Sequence, residues 1–424
     1  MFRVFSYLHT ISLYPAARLI ITAQSEWQRL TTRWQVPGVH IEAPYDGQRI
    51  LLLALYEKGV LRPDVLRLLR AAKDAGLYVL AVNTLQLSDP ASLKGLVDCY
   101  IERPNFGRDF GSYQTGFQHV FNRGWHEKCP RLMMLNDSVF FSEERMPKFL
   151  QDMMTSDVEV LGSTENYEIE YHLGSFCISM SQSVLKQPVF RKYWRRYRLS
   201  DVRRTVIRNG EMRLSKTLKR CVSSPGQFRA LYSSANFVRC LNQDPELASF
   251  FIKNSRTSSL VGWEPFNAVN ILQLLQGRFI VPRNISENSS STEIQINAPL
   301  DDLNEELFIQ DVKSLKAYIS RHLRNAGHID DSLLEDAIIS VLSEIFMSGS
   351  QIHQNAATLL HMGLPIVKLD GLYRGMFNIY DIQRITRNLS PVESAELEQI
   401  LMERPFGGKT LVGWRRAAFM LGLL

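Results

Sequence analysis

Between residues 46 and 200, short apolar runs alternate with stretches of helical spacing, and that alternation leaves few folds open to the chain. RILLLALYE (49–57) has the length and composition of a buried strand. RPDVLRLLRAAKDAG (62–76) comes next with helical spacing: Leu66, Leu69 and Ala72 fall on one face, Asp64 stands near the helix start and Gly76 can end it. LYVLAVNT (77–84) is the next strand. A β-α-β unit of this kind implies parallel strands joined by a right-handed crossover. Further along, VDCYIER (97–103) reads as a short strand, YQTGFQHVFNRGW (113–125) as a helix and RLMMLND (131–137) as a buried strand. SEERMPKFLQDMM (142–154) reads as a helix around Pro147, with VEVLGST (158–164) and LGSFCISMS (173–181) as strands. The expectation is an α/β sheet domain over residues 46–200.

The flanking segments have another texture. Residues 1–45 read as an N-terminal extension and 201–424 as a mainly helical accessory region, with helices expected across 304–325, 331–347 and 391–403 and an exposed polar loop at NISENSSSTEIQINA (284–298). At 424 residues, 45% hydrophobic and 22% charged, the chain is excluded from the disordered class. Five cysteines without a C-x-x-C pair argue against a disulfide framework and for a reducing cytosol. No apolar run approaches the length needed to span a bilayer, and the start, with Pro15 and Arg18, does not read as a signal peptide.

Charge is concentrated. From Lys186 to Arg220 there are 13 basic residues against two acidic ones, so a chain of net +6 is net acidic outside this block. With Tyr193, Trp194 and Tyr197 interleaved, the block suits an anionic membrane surface, or else is a solvated helix face; no nucleic-acid motif accompanies it.

Ligands of α/β sheets bind beyond the carboxyl ends of the strands, which directs attention to Asn83, Arg103, Asn136–Asp137–Ser138 and Ser163–Thr164–Glu165. In RPNFGRDFGSYQTGF (103–117), Gly107, Gly111 and Gly116 permit tight turns or close ligand approach. Arg103 and Arg108 suit phosphates there, and Asp109 suits ribose hydroxyls or base N–H groups. A glycine-rich structural turn explains the same composition. In LMMLNDSVFF (132–141), Asn136, Asp137 and Ser138 offer hard oxygen ligands for Mg²⁺ or Mn²⁺ bridging a diphosphate, although Asn-Asp-Ser also suits an ordinary turn. In STENYEIEYHLGSFCIS (163–179), Glu165 and His172 rank first among groups able to take a proton from an acceptor hydroxyl; the alternative is a charged loop with a satisfied histidine.

The succession NFGRDFGSYQTGF, MMLNDSVFF, YHLGSFCISMSQSVLKQPVFRKYWRRY resembles the rhamnan synthesis protein F family of bacterial glycosyltransferase-like proteins over about residues 48–200. That family's signatures run as N-x-G-x-D-F-G-x-Y, L-N-D-S and H-x-x-S-x-F. They are matched here by Asn105, Gly107, Asp109, Phe110, Gly111 and Tyr113; by Leu135, Asn136, Asp137 and Ser138; and by His172, Ser175 and Phe176. The resemblance implies a GT-A-like domain that uses a nucleotide-activated deoxysugar, with dTDP-rhamnose as donor and a lipid-linked glycan as acceptor at the inner face of the cytoplasmic membrane. Arg103, Asn105, Gly107, Arg108, Asp109, Gly111 and Asn136 would then bind the donor, with Asp137 and Ser138 on a divalent cation. Asn136–Asp137–Ser138 stands where other GT-A enzymes carry Asp-x-Asp, and the second aspartate is missing. A reading from another class, a non-catalytic scaffold of a polysaccharide-assembly complex, is compatible with that loss.

Overall fold

The strands are β1 (Gly38–Glu42), β2 (Ile50–Leu55), β3 (Tyr78–Asn83), β4 (Cys99–Glu102), β5 (Arg131–Asn136), β6 (Val139–Phe141), β7 (Val160–Asn166), β8 (His172–Leu173), β9 (Cys177–Ser181), β10 (Phe228–Tyr232) and β11 (Ile366–Lys368). The structure is a computed structural model that describes residues 2–255, 266–279, 309, 311–322, 331–404 and 406–424. Nine strands form one mixed sheet in the order β1-β4-β3-β2-β5-β9-β7-β10, with β8 on β7. Its centre, β4-β3-β2-β5, is parallel, while β9 runs antiparallel between β5 and β7. β7 therefore shares the direction of β5, and the carboxyl ends of β2, β3, β4, β5 and β7 lie along one edge.

Burial explains the centre. Every residue of β2, β3 and β5 is buried, as expected where helices cover both faces of a parallel sheet and an unbroken apolar run replaces alternation. The crossover helix, Pro63–Asp74, starts with proline in its first turn and buries Val65, Leu68, Leu69 and Ala72 at helical spacing. Leu66, expected on that face, is only half-buried. The helix expected at 113–125 runs from Arg108 to Asn122 because left-handed Gly107 turns the chain into it earlier.

The domain boundaries differ from the sequence expectation. One compact unit comprises residues 1–233 and 349–424, and a second comprises 234–348. β1, from the expected extension, adds to the sheet edge beside β4, and β10 and β11 emerge from the region expected to be helical. Ala17 and Ile21 of the long helix Phe2–Thr32 pack with Val202, Ala418 and Leu423. The described elements of the second unit are all helices, with Phe237 stacked on Phe346 at 4.1 Å. Of the expected helix 304–325 the described part is Val312–His322; Asp331–Met347 and Pro391–Met402 are helices, and the loop at 284–298 lies outside the described residues.

A buried arginine ties β5 to its surroundings. Arg131 Nε donates to Met153 O and Ser179 Oγ, both at 2.9 Å, while Nη1 reaches Ser156 O at 2.9 Å and Nη2 reaches Val158 O at 2.6 Å. Burial pulls the guanidinium down to about 10, still charged at neutral pH. Replacing Arg131 with Met takes the donor from the Ser156 and Val158 carbonyls, while Ser179 Oγ still donates to Met153 O, and is expected to cost about 3 kcal/mol or more, measured by urea unfolding against wild type.

Candidate functional site

Arg103 shapes the loop that leaves β4. Its Nε donates to Ser112 Oγ at 2.8 Å, Nη1 to the carbonyls of Pro104 and Phe106, and Nη2 to the carbonyl of Arg108. Gly111 lets the guanidinium pass, since a Cβ there would lie 2.6 Å from it. Arg103 is thus spent on the loop itself and positions Arg108 and Asp109 instead of presenting an open cation. Gly107 and Arg108 are both left-handed, with φ of +88° and +50°, and the second is uncommon for a residue with a side chain. Asp201 holds this turn: its carboxylate accepts the Gly107 N–H at 2.7 Å and its carbonyl accepts Arg108 Nε at 2.9 Å. Asn105 is exposed.

The turn aims Asp109 at the end of β5. Asn136 Nδ2 donates to Asp109 Oδ2 at 2.9 Å, joining the two segments that the sequence singled out. Burial raises the Asp109 carboxyl, with Lys368, Arg108 and Arg103 acting against it. Ser138 Oγ donates to Asn136 Oδ1, and Lys368 Nζ donates to Ser138 Oγ at 2.7 Å. Lys368 arrives from far along the chain because β11 pairs antiparallel with β6, setting Lys368 opposite Val139.

Asp137 points away from this chain of bonds. Its Oδ2 accepts the Tyr56 N–H, and it shares a hydrogen bond with the Glu57 carboxyl. The donor set expected for a divalent ion fits poorly: Asp137 faces a backbone donor, and Ser138 already meets an ammonium. Among the described residues no group of three or more His, Cys, Asp or Glu side chains is arranged to hold a metal.

The expected proton acceptors are also separated. Glu165 is buried and accepts hydrogen bonds from Tyr167 Oη at 3.0 Å and Tyr171 Oη at 3.2 Å. His172 Nδ1 donates to Glu170 O at 2.7 Å, which leaves Nε2 facing Glu211 Oε2 at 3.8 Å. Glu211 was not singled out by its sequence context. It lies in a π-helical turn, Ile207–Met212, whose carbonyls at Asn209 and Gly210 take the Tyr193 hydroxyl. Burial raises Glu211, with His172, Lys368 and Arg203 opposing.

Around these groups stand further charges that the sequence reading missed. Arg203 is half-buried, and its guanidinium is pulled down by burial and then by Arg374. Burial would raise Asp370, but His353 at 2.7 Å, Lys368 and Arg374 outweigh it and hold the carboxylate well below its usual range. The block at 186–220 is therefore divided. Arg203 enters the cluster, Tyr193, Trp194 and Tyr197 are core residues, and Arg195, Arg196 and Arg208 are exposed. A cavity of 530 Å³ between the helices Pro63–Asp74 and Met146–Thr155 contains none of the clustered residues.

Residues 77–221 match the sequence model of the rhamnan synthesis protein F family. That match covers β3 through the helix carrying Glu211 and supports the family that the three motifs resemble. The chain is also 27% identical over 181 residues to Uncharacterized protein y4gN of Sinorhizobium fredii, covering 42% of this chain and 47% of that protein. It is 29% identical over 119 residues to Virulence protein VirA of Vibrio anguillarum, covering 28% of this chain and 38% of the relative. The chain thus spans less than half the length of these curated relatives. Lys368 and Asp370 lie outside the segment that matches the family model.

The Glu57–Asp137 pair gives the site a pH signature. Burial pushes Glu57 up from 4.5 to about 7, with Arg62 opposing and Asp64 adding to it, and burial also raises Asp137 well above the carboxylate range. Both folded-state values exceed the unfolded ones, so the folded protein holds extra protons. The associated stability is present below about pH 4.5 and is lost as pH rises through 7. Thermal melts at pH 5 and pH 8 should show a smaller difference for Glu57→Gln than for wild type.

Proposed function

We propose that this chain is a sugar-nucleotide-dependent glycosyltransferase, with a GT-A-like sheet domain, acting in the synthesis of a bacterial cell-surface polysaccharide. The observation that carries the reading is the Asn136–Asp109 hydrogen bond, which joins two separate motif segments at the carboxyl edge of a parallel sheet beside half-buried cations. A pure scaffold has no chemical use for such a buried polar cluster. The family match supports polysaccharide synthesis as the setting, and a rhamnosyl donor such as dTDP-rhamnose is the first substrate to try.

In this reading Asp109 and Asn136 receive the nucleoside part of the donor, while Gly107, packed against Leu199, supplies the left-handed turn that aims Asp109 at Asn136. Glu211, with His172 beside it, takes the acceptor hydroxyl's proton; Glu165, held by Tyr167 and Tyr171, braces the strand end. The acceptor oxygen forms the new bond to the sugar's anomeric carbon. The bond from that carbon to the β-phosphate oxygen breaks, and its electron pair leaves with the nucleoside diphosphate. Transfer of radiolabelled rhamnose to a lipid-linked glycan is expected to fall by about 10²–10⁴ in Glu211→Gln, with nucleotide binding kept, and by less than tenfold in Glu165→Gln. The opposite ranking would return the base to Glu165, and no transfer by wild type from any nucleotide sugar would favour the scaffold.

A lipid-linked acceptor requires access to a membrane surface. No helix among the described residues is long and apolar enough to cross one. The helix Phe2–Thr32 and the turn after it expose Leu19, Trp27, Leu30 and Trp34, a combination suited to an interfacial contact on the cytoplasmic leaflet. Flotation with anionic vesicles is expected to carry the wild-type protein and to lose Trp27→Ser/Trp34→Ser; equal recovery of both would reject this contact.

A further inference from the structure

A departing nucleoside diphosphate needs its growing negative charge compensated, and a divalent cation or fixed basic groups can do this. Here one oxygen of each side chain in the Asn136–Asp137–Ser138 triplet is already engaged. Asp137 Oδ2 accepts a backbone N–H, Asn136 Oδ1 accepts the Ser138 hydroxyl, and Ser138 Oγ accepts an ammonium at 2.7 Å. That ammonium is delivered by a built element. β11 pairs with β6, Leu369 N–H donates to Ser138 O at 3.1 Å, and Lys368 Nζ lies 5.3 Å above the Phe176 ring.

Resting on the glycosyltransferase reading, we propose that Lys368 takes the place of the metal ion, its ammonium meeting the donor's diphosphate together with Arg203 and the open end of Arg108. Arg108 uses Nε on the Asp201 carbonyl, and the charges of Asp370 and Arg374, next to Lys368 along the chain, act on both Arg108 and Arg203. Each of these three cations comes from a different part of the chain: the start of the helix Arg108–Asn122, the start of the helix at 203, and β11. When the bond to the sugar breaks, the electron pair carried off on the β-phosphate oxygen meets a fixed positive charge, and no divalent ion is required. Residues 349–424 thereby complete the donor site, which the α/β segment at 46–200 does not hold alone.

The test is calorimetric titration of the full chain with dTDP, UDP, GDP and inorganic pyrophosphate, each in EDTA and in Mn²⁺, for wild type and for Lys368→Met and Arg203→Met. Thermal melts identify any variant that fails to fold. Wild-type affinity for one of these probes should agree within about twofold between EDTA and Mn²⁺, and Lys368→Met should weaken it about tenfold or more, unrestored by Mn²⁺. Binding at least tenfold tighter in Mn²⁺ overturns the inference and leaves the glycosyltransferase reading standing. Metal-independent binding that Lys368→Met does not weaken removes Lys368 from the role. Absence of binding to every probe in both conditions overturns the glycosyltransferase reading and this inference with it. The comparison of EDTA with Mn²⁺ uses wild type alone, so it decides the metal question even where a variant does not fold.

Discussion

The buried guanidinium of Arg103 is the constraint on which the candidate site depends. It spends its donors on carbonyls and a hydroxyl within ten residues, pulling the chain after β4 into a tight arch. Burial draws it down to about 10, yet it stays charged at neutral pH, and charge-assisted bonds of this kind are stronger than neutral ones. The arch forces two consecutive left-handed residues and so directs Arg108 and Asp109 toward β5. Without that geometry Asp109 would have no reason to meet Asn136.

A second constraint acts over a much longer sequence separation. β6 leaves the main sheet just after Asn136–Asp137–Ser138, and its exposed hydrogen-bonding edge is taken by β11. An edge strand needs a partner, and this one recruits a segment more than 200 residues away, bringing Lys368, Asp370 and Arg374 to the motif edge. Phe140, Val367, Leu372 and Phe377 form a separate apolar cluster that holds this attachment, so packing in one place sets electrostatics in another.

The α/β character and most sheet strands were legible because long apolar runs and amphipathic spacing report burial directly. β2, β3 and β5 fall where the runs predict them. Short strands were not legible: β10 and β11 carry little pattern of their own, and β11 exists because β6 offers an edge. The meeting of 103–117 with 132–141 could be anticipated, since parallel strands bring their carboxyl ends together. What individual side chains do there could not, because it depends on neighbours distant in sequence. Arg103 looks like a phosphate ligand until Gly111 and Ser112 are seen beside it, and Glu165 looks like a base until Tyr167 and Tyr171 are placed. Lys368 stands in a segment with no unusual composition, and Glu211 is one of two acids inside the basic block at 186–220, where nothing local marks it as facing His172. The one local signal was Arg203, which belongs to a basic block too long to single it out.

The cluster also reveals how the protein tolerates so many cations under partial burial. Asp370 is held by His353 and Arg374, and Asp201 anchors Arg108, so some acids and bases cancel in place. Among the described residues Arg203 has no such anchor: its nearest opposite charges act at a distance, and burial draws its guanidinium down. A cation kept partly desolvated without a tight partner raises the free energy of the empty protein, and an arriving anion recovers that cost as affinity. The same arrangement discriminates by charge, since a neutral sugar would leave the penalty unrelieved and a diphosphate would remove it. An energetic disadvantage in the unliganded fold is thus the physical basis on which the cluster can favour an anionic ligand over a neutral one.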